Sequence, residues 1–201
     1  MISIVKKRRQ PIMRREEKTD NLVITALMTC LVCLATYALK IPNPLTQGYV
    51  HIGDVFIFMS VLILGKKNGA IASSVGAAMA DIMGGYAIFA VGTFIAKGLM
   101  ALVMGLIIEK GYESEHAHPD HKQIRILSLA PYELTAMVLG GITEVAVYVV
   151  VNALVYGNLT VGFLSIPGNV GQFATSMVLA VLLTHALLKT PVKKYFAYAN
   201  K

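Results

Sequence analysis

Two apolar runs joined at GKKNG constrain the fold of this chain more than any other feature. They occupy residues 51–86, HIGDVFIFMSVLILGKKNGAIASSVGAAMADIMGGY, and each contains one aspartate near the end remote from GKKNG, Asp54 and Asp81. Apolar runs closed by glycine predict two membrane helices that form a hairpin, because a bilayer accepts backbone as helices or closed barrels. A carboxylate has no water around it in hydrocarbon, so we expect both aspartates to face the bundle interior as structural polar groups.

The composition extends this interpretation to the whole chain. Hydrophobic residues make up 56% of the 201 residues and charged residues 14%, a balance that is rare in soluble domains. We therefore predict an all-α integral membrane protein with six transmembrane helices, in a membrane domain at 21–190 between basic cytoplasmic tails at 1–20 and 191–201. The predicted spans are 22–39, 55–64, 69–83, 87–108, 127–155 and 173–188.

The distribution of basic residues predicts the orientation of the helices. Most of the 18 Lys and Arg fall before the first span, at the tip Lys66 and Lys67, after residue 108 and after residue 188. Cytoplasmic loops carry an excess of Lys and Arg, so both termini are predicted to be cytoplasmic. The net charge of +7 then reflects topology and contact with the lipid bilayer, and no nucleic acid is expected as a partner.

Further polar side chains fall within or beside the later spans. Lys97 interrupts AIFAVGTFIAKGLMALVMGLII, so it must snorkel, pair with an intramembrane acid or bind an anionic ligand. Glu144 and Tyr148 are four residues apart and share a helix face, which predicts that they point inward. Asn169 and Gln172 open the last span, where their amides suit either a neutral polar ligand or helix packing.

The cysteines and histidines do not predict a metal site, and we expect no cofactor. Cys30 and Cys33 form one CxxC pair within the first span, where they are predicted to pack as small apolar residues. The tract HAHPDH at 116–121 contains a proline and no regular helical spacing, which favours a solvated loop. The sequence lacks GxxxxGK[ST], HExxH and GxSxG, so it predicts neither a P-loop ATPase nor a hydrolase of those types.

Several segments together resemble one family. The residues GDVFIFMSVLILGKKNGAIASSVGAAMADIMGGY, followed by FIAKGLMALVMGLI, MVLGGITEVAVY and PGNVGQ, resemble the substrate-binding S component of energy-coupling factor (ECF) type vitamin transporters. They are most similar to the branch that contains hydroxymethylpyrimidine, pyridoxine and riboflavin-like members. The resemblance implies a six-helix protein of the bacterial plasma membrane that binds a vitamin or precursor from outside. It also implies a complex with a transmembrane T component and two cytoplasmic ATPase subunits.

The same resemblance implies where the binding sites lie. In the family, small residues on the first helix contact the T component, which here indicates Ala26 and Cys30. The substrate pocket of the family lies in the outer half of the molecule. The substrate-binding residues that it implies in this chain are Tyr49, His51, Tyr86, Lys97, Glu144, Tyr148, Asn169 and Gln172.

The cargo and two other functions stay open at this point. The absence of Trp argues against a large stacked ring such as riboflavin, so we favour hydroxymethylpyrimidine or a B6 vitamer. Pantothenate comes next, with Lys97 as its counter-charge. The alternative function is a proton- or ion-coupled carrier or channel that uses Asp54, Asp81, Lys97 and Glu144. An intramembrane protease is less favoured, because its Tyr-Asp and Gly-x-Gly-Asp motifs are replaced here by HIGD and MAD.

Overall fold

The computed structural model describes residues 2–43, 48–117 and 125–198, with side chains from residue 18 onward except at 43 and 48. Within these residues the chain is mostly helical, and five stretches are long and apolar enough to cross a membrane. The elements in chain order are α1 (Ile2–Ala38), β1 (Lys40–Asn43), β2 (Gly48–His51), α2 (Asp54–Met83), a 3-10 turn (Ala87–Phe89), α3 (Ala90–Ala117), α4 (Pro131–Tyr156), α5 (Leu159–Leu164), α6 (Ile166–Leu188) and a second 3-10 turn (Pro191–Tyr195).

Helix α2 is broken at Gly65, whose φ of 75° and ψ of −176° lie outside the helical region. A Cβ atom built on Gly69 would lie 2.9 Å from Cα of Val61, whereas eight residues of unbroken helix span about 12 Å. The chain therefore reverses at Gly65, where glycine accepts the positive φ without steric cost. We call residues 54–64 the first arm and residues 66–83 the second arm of this hairpin.

The hairpin forms the centre of the molecule, and α1 and α3 pack most extensively against it. Ile57, Phe58 and Val61 of the first arm are fully buried. Small residues in the second arm let other helices approach: a Cβ on Gly76 would lie 2.6 Å from the backbone oxygen of Thr29 in α1. The stripe of Gly, Ala and Ser that marks the second arm in the sequence is therefore a helix-packing surface.

The connection into α4 differs from the predicted span 127–155. Leu127 and Ser128 have positive φ values of 48° and 69°, so they form a turn, closed by backbone pairing of Ile126 with Leu129. Helix α4 begins only at Pro131, a residue that favours the first helical turn. The apolar character of residues 127–130 misled the prediction, because a tight turn can also bury leucine.

Two further connections differ from their predictions. The connection between α1 and α2 contains an antiparallel β-hairpin in which Pro42 pairs with Tyr49, an element that the predicted spans do not include. Helix α3 continues to Ala117, beyond the predicted end at residue 108, and Lys66 at the hairpin turn forms a salt bridge with Glu109 in this extension. Most of the predicted histidine loop, 118–121, lies outside the described residues.

The C-terminal segment packs against the same end of the hairpin. Phe196 is 5% exposed and belongs to the hydrophobic core. The backbone nitrogen of Ala197 donates to the carbonyl oxygen of Leu62 at 3.1 Å. Because the break at Gly65 leaves the last carbonyls of the first arm without helical donors, residues 196–198 help to cap that arm.

Candidate functional site

A buried ionic cluster joins the first arm of the hairpin to α3 and α4. The Lys97 ammonium donates to Asp54 Oδ1 at 2.6 Å and also to Glu144 Oε1. All three side chains are 0% exposed. The cluster brings two carboxyl groups and one amine together, so Lys97 pairs with intramembrane acids, one of the alternatives that the sequence left open.

Gln172 links this cluster to strand β2, in the connection between α1 and α2. Its Nε2 donates to Asp54 Oδ2 at 2.8 Å and to Glu144 Oε1 at 3.1 Å. Its Oε1 accepts from the backbone nitrogen of His51 at 3.0 Å. One amide therefore binds strand β2 to the cluster and uses both its donor and its acceptor groups in doing so.

A cavity lies next to this cluster, at the end of the hairpin remote from Gly65. It encloses about 50 Å³, less than the roughly 300–1,000 Å³ of ligand pockets, so a bound small molecule requires its walls to move apart. Its walls come from strand β2, from the connection between α2 and α3, and from the ends of α2, α3, α4 and α6. The lining residues are Tyr49, His51, Asp81, Tyr86, Phe89, Thr93, Tyr148, Asn152, Ser165, Asn169 and Gln172.

Aromatic rings form one side of the cavity. The rings of Tyr49 and Tyr86 lie 4.6 Å apart between centroids and are tilted by 55°. The ammonium of Lys40 lies 4.5 Å from the Tyr49 ring and 5.1 Å from the Tyr86 ring, a distance at which cation–π attraction holds the two rings together. Tyr148 stands on another wall, and its hydroxyl donates to Thr93 Oγ1 at 3.1 Å.

Two polar groups of the cavity are oriented by hydrogen bonds. The Tyr49 hydroxyl donates to Asp81 Oδ1, and burial together with the nearby Asp81 carboxylate raises the pKa of Tyr49 above its usual range. The Tyr49 hydroxyl therefore keeps its proton and acts as a donor. Asp81 itself is 4% exposed.

His51 is held neutral in one tautomer. Its Nδ1 accepts from the backbone nitrogen of Gly53 at 3.0 Å, so the ring proton resides on Nε2. Burial is the main cause that lowers the pKa of His51 to about 3, with smaller contributions from Lys97 and Lys40, while Asp54 opposes the shift. The imidazole therefore carries no charge at neutral pH.

The cavity contains six of the eight predicted substrate-binding residues. These are Tyr49, His51, Tyr86, Tyr148, Asn169 and Gln172. Lys97 and Glu144 belong to the ionic cluster, so the structure favours pairing over ligand contact for both. Asp54 and Asp81 were both predicted to be structural polar groups; Asp54 bonds Lys97 and Gln172, whereas Asp81 lines the cavity.

Four lining residues were not predicted: Phe89, Thr93, Asn152 and Ser165. Asn152 had a signal in the sequence, because it lies one helical turn beyond Tyr148 on the same face. Phe89 and Thr93 lie in an apolar run whose periodicity does not mark an inner face. The predicted partner-contact residues Ala26 and Cys30 lie away from the cavity, exposed on α1.

These features define a class of protein: an integral membrane protein whose helices enclose a polar and aromatic site for a small molecule. Residues 16–189 match the family ECF-type riboflavin transporter, S component. This match covers most of the chain, and the protein belongs to that family. It is therefore a membrane-embedded, substrate-binding transport subunit for vitamin uptake.

Two other proteins are similar to this chain. A Pyrococcus woesei protein, described as an uncharacterized protein in gap 3'region, is 32% identical over 151 residues, which are 75% of this chain and 84% of that protein. The S component of a bacterial ECF transporter has a similar fold, with a TM-score of 0.66, 16% identity and coverage of 86% of this chain and 97% of that chain.

The family assignment replaces both alternative functions derived from the intramembrane acids. A protease dyad would bring the two aspartates together to share a proton, whereas the carrier alternative is replaced by the family match alone. In the structure Asp54 bonds Lys97 and Gln172, whereas Asp81 bonds Tyr49. The two aspartates thus have separate partners.

Proposed function

We propose that this protein is the substrate-specificity subunit of an ATP-driven ECF transporter and that its cargo is an uncharged, planar heteroaromatic vitamin or precursor. The observation that carries the proposal is the composition of the cavity wall. Tyrosine rings lie beside a carboxylate and three amides there, while Lys97 is withdrawn into the ionic cluster. Aromatic rings stack on a planar ligand, and the polar groups orient it.

Hydroxymethylpyrimidine or a B6 vitamer fits this class, as the sequence favoured. Riboflavin is a second candidate because the family carries its name, and because Tyr49, Tyr86, Phe89 and Tyr148 offer more aromatic surface around the cavity than the composition suggested. Pantothenate fits less well, because its carboxylate would meet Asp81, and no Lys or Arg of the described residues lines the cavity.

The proposed topology has six transmembrane helices and cytoplasmic termini. The two arms of α2 run side by side from the turn at Gly65, so counting each arm as one span gives six with α1, α3, α4 and α6. Lys66 and Lys67 at the turn then lie on the cytoplasmic side, and the cavity faces outward. Both arms are short for a full span, which their position among longer helices accommodates.

The proposed partners are a transmembrane T component and two ATPase subunits, because the sequence has no P-loop motif of its own. The exposed Ala26 and Cys30 on α1 are small enough for a second helix to approach closely. We expect Ala26→Leu with Cys30→Leu to lower ATP-dependent uptake in cells that produce all subunits, with unchanged vitamin affinity of the isolated S component. Loss of affinity in this variant would contradict the assignment of a partner surface.

Thermal unfolding of the purified protein in detergent, measured against a vitamin panel, tests the cargo. Riboflavin, hydroxymethylpyrimidine, pyridoxine and pantothenate form the panel. A ligand at 100 times its Kd stabilises the folded state by about 2.7 kcal/mol. We expect a clear rise in melting temperature with one of the first three compounds and none with pantothenate.

A matched pair of variants locates the site. Asn169 lines the cavity, whereas Thr143 is half-buried on α4 and does not line it. Asn169→Leu should abolish the ligand-dependent rise, and Thr143→Leu, the same kind of polar-to-apolar change, should leave it intact. Equal shifts in the two variants would place the binding site elsewhere, and no shift in the wild-type protein with any compound would refute the proposed cargo class.

A further inference from the structure

We propose that Asp81 is the ligand-anchoring carboxylate of the cavity and that it selects a cargo with a hydrogen-bond donor, such as a ring N–H, an amino group or a hydroxyl. This inference rests on the proposed function and names the chemistry by which the same cavity recognises its ligand. It assigns to Asp81 a binding role instead of the structural role that the sequence predicted.

Asp81 has an incomplete set of hydrogen bonds within the described residues. Asp81 lies near the end of the second arm, lines the cavity and is 4% exposed. Its Oδ1 accepts from the Tyr49 hydroxyl, but its buried Oδ2 has no hydrogen-bond partner among the described residues. Thr93 lies beside this carboxylate; its hydroxyl accepts the Tyr148 proton and can give its own proton to Asp81, which still leaves acceptor capacity on the carboxylate for a ligand.

The other aspartate of the hairpin shows what a structural carboxylate looks like in this protein. Lys97 donates to Oδ1 of Asp54 and Gln172 donates to its Oδ2. Both oxygens of Asp54 are thus satisfied within the fold, as buried polar groups normally are. Glu144 also has a buried oxygen, Oε2, without a hydrogen-bond partner among the described residues, but Glu144 does not line the cavity. A buried carboxylate oxygen without a donor costs about 1–3 kcal/mol or more. Because Asp81 does line the cavity, we infer that the ligand supplies its donor.

The opposite hydrogen-bonding group is close by along the chain. Tyr49 and His51 are two residues apart on strand β2 and therefore point to the same face. Because His51 Nδ1 is occupied by the Gly53 amide, the imidazole offers a proton on Nε2. The cavity thus presents an acceptor at Asp81 and a donor at His51, which suits a heteroaromatic ring that carries an N–H or amino group together with a ring nitrogen or carbonyl acceptor.

Substitution of Asp81 by asparagine tests the inference with little change in shape. The Tyr49 hydroxyl can still donate to the amide oxygen, but an NH2 group replaces Oδ2 and opposes a ligand donor. We expect Asp81→Asn to lose about 10- to 100-fold in affinity for the panel compound that stabilises the wild-type protein, as is usual when a hydrogen bond to a charged group is lost. The control Glu109→Gln makes the same kind of change at the other end of the hairpin, where Glu109 pairs with Lys66, and should alter affinity less than about threefold.

A second measurement needs no variant and so does not depend on how Asp81→Asn folds. The wild-type protein should bind the compound about 10- to 100-fold more tightly than an analogue in which its donor, a ring N–H, an amino group or a ring hydroxyl, is methylated. For pyridoxine the methylated donor is the ring hydroxyl. For riboflavin this analogue is N3-methylriboflavin, and for hydroxymethylpyrimidine it is the dimethylamino derivative. In Asp81→Asn the two compounds should bind alike.

The outcomes separate the two proposals. Two results would overturn the role of Asp81 and leave the proposed function intact. One is equal affinity of the wild-type protein and Asp81→Asn for the same compound. The other is equal affinity of the wild-type protein for the compound and its methylated analogue. If riboflavin, hydroxymethylpyrimidine and pyridoxine all fail to bind the wild-type protein, the proposed cargo class falls and the inference falls with it.

Discussion

Replacement of Lys97 by methionine is the most informative perturbation of this fold. The side chains of Lys97, Asp54 and Glu144 are all 0% exposed, and the ammonium contacts both carboxylates. Methionine fills a similar volume without a charge, so two buried carboxylates would remain without a counter-ion. Removal of one partner from a buried ion pair costs about 3–5 kcal/mol, which for a chain of this length lowers the melting temperature by roughly 6–20 °C.

The chain itself offers a suitable probe of unfolding. It contains no Trp, so intrinsic tryptophan fluorescence cannot be used. Cys33 is buried and Cys30 is exposed, so a thiol-reactive dye gives a constant signal from Cys30 and a rise as Cys33 becomes accessible. Loss of the helical circular dichroism signal in the same detergent provides an independent second transition.

Glu144→Gln is the matched control for Lys97→Met. It leaves one ammonium paired with one carboxylate, so we expect a much smaller loss of stability, within about 1.5 kcal/mol. The reasoning is refuted if Lys97→Met melts with the wild-type protein, or if Glu144→Gln is the more damaging change. A Lys97→Met variant that stays folded but no longer binds its cargo would instead show that Lys97 contacts the ligand.

Three further predictions concern the hairpin, the C-terminus and the loop. Gly69→Ala should lower the free energy of unfolding by about 1–3 kcal/mol, because a Cβ there would lie 2.9 Å from the first arm. The control Gly171→Ala has open space around it and should raise the free energy of unfolding by up to about 1 kcal/mol. Equal effects of the two variants would contradict the close approach of the arms. Phe196→Ala should cost about 3 kcal/mol and leave ligand affinity unchanged, measured by melting and by titration; weakened binding would disprove its purely structural role. His51 has a pKa of about 3 in the folded protein and an ordinary value of 6.5, so the unfolded chain takes up the proton first as the pH falls. Relative to His51→Gln, the wild-type protein should lose stability between pH 6.5 and 3, by about 2 kcal/mol at pH 5, as measured by melting. The same pH profile in both proteins would refute the buried neutral imidazole.

The sequence alone determined the features that depend on the solvent around each segment. A bilayer requires long apolar helices, so composition and run length predicted an integral all-α protein. Two charged carboxylates in apolar runs had to face inward, and both do. The chain reversal at GKKNG was also readable, because glycine at the first position of that motif accepts a backbone conformation that other residues avoid.

The tertiary structure decided which polar groups pair with each other and which remain for a ligand. Asp54 and Asp81 have equivalent contexts in the sequence, near the remote ends of two apolar runs. Only the rotation and depth of the packed helices bring Lys97 and Gln172 to Asp54 and Tyr49 to Asp81. Helical periodicity defines which face of a helix turns inward. A hydrogen bond, however, requires its two heavy atoms to lie within about 3 Å of each other, and contacts between segments distant in the chain determine which atoms come that close.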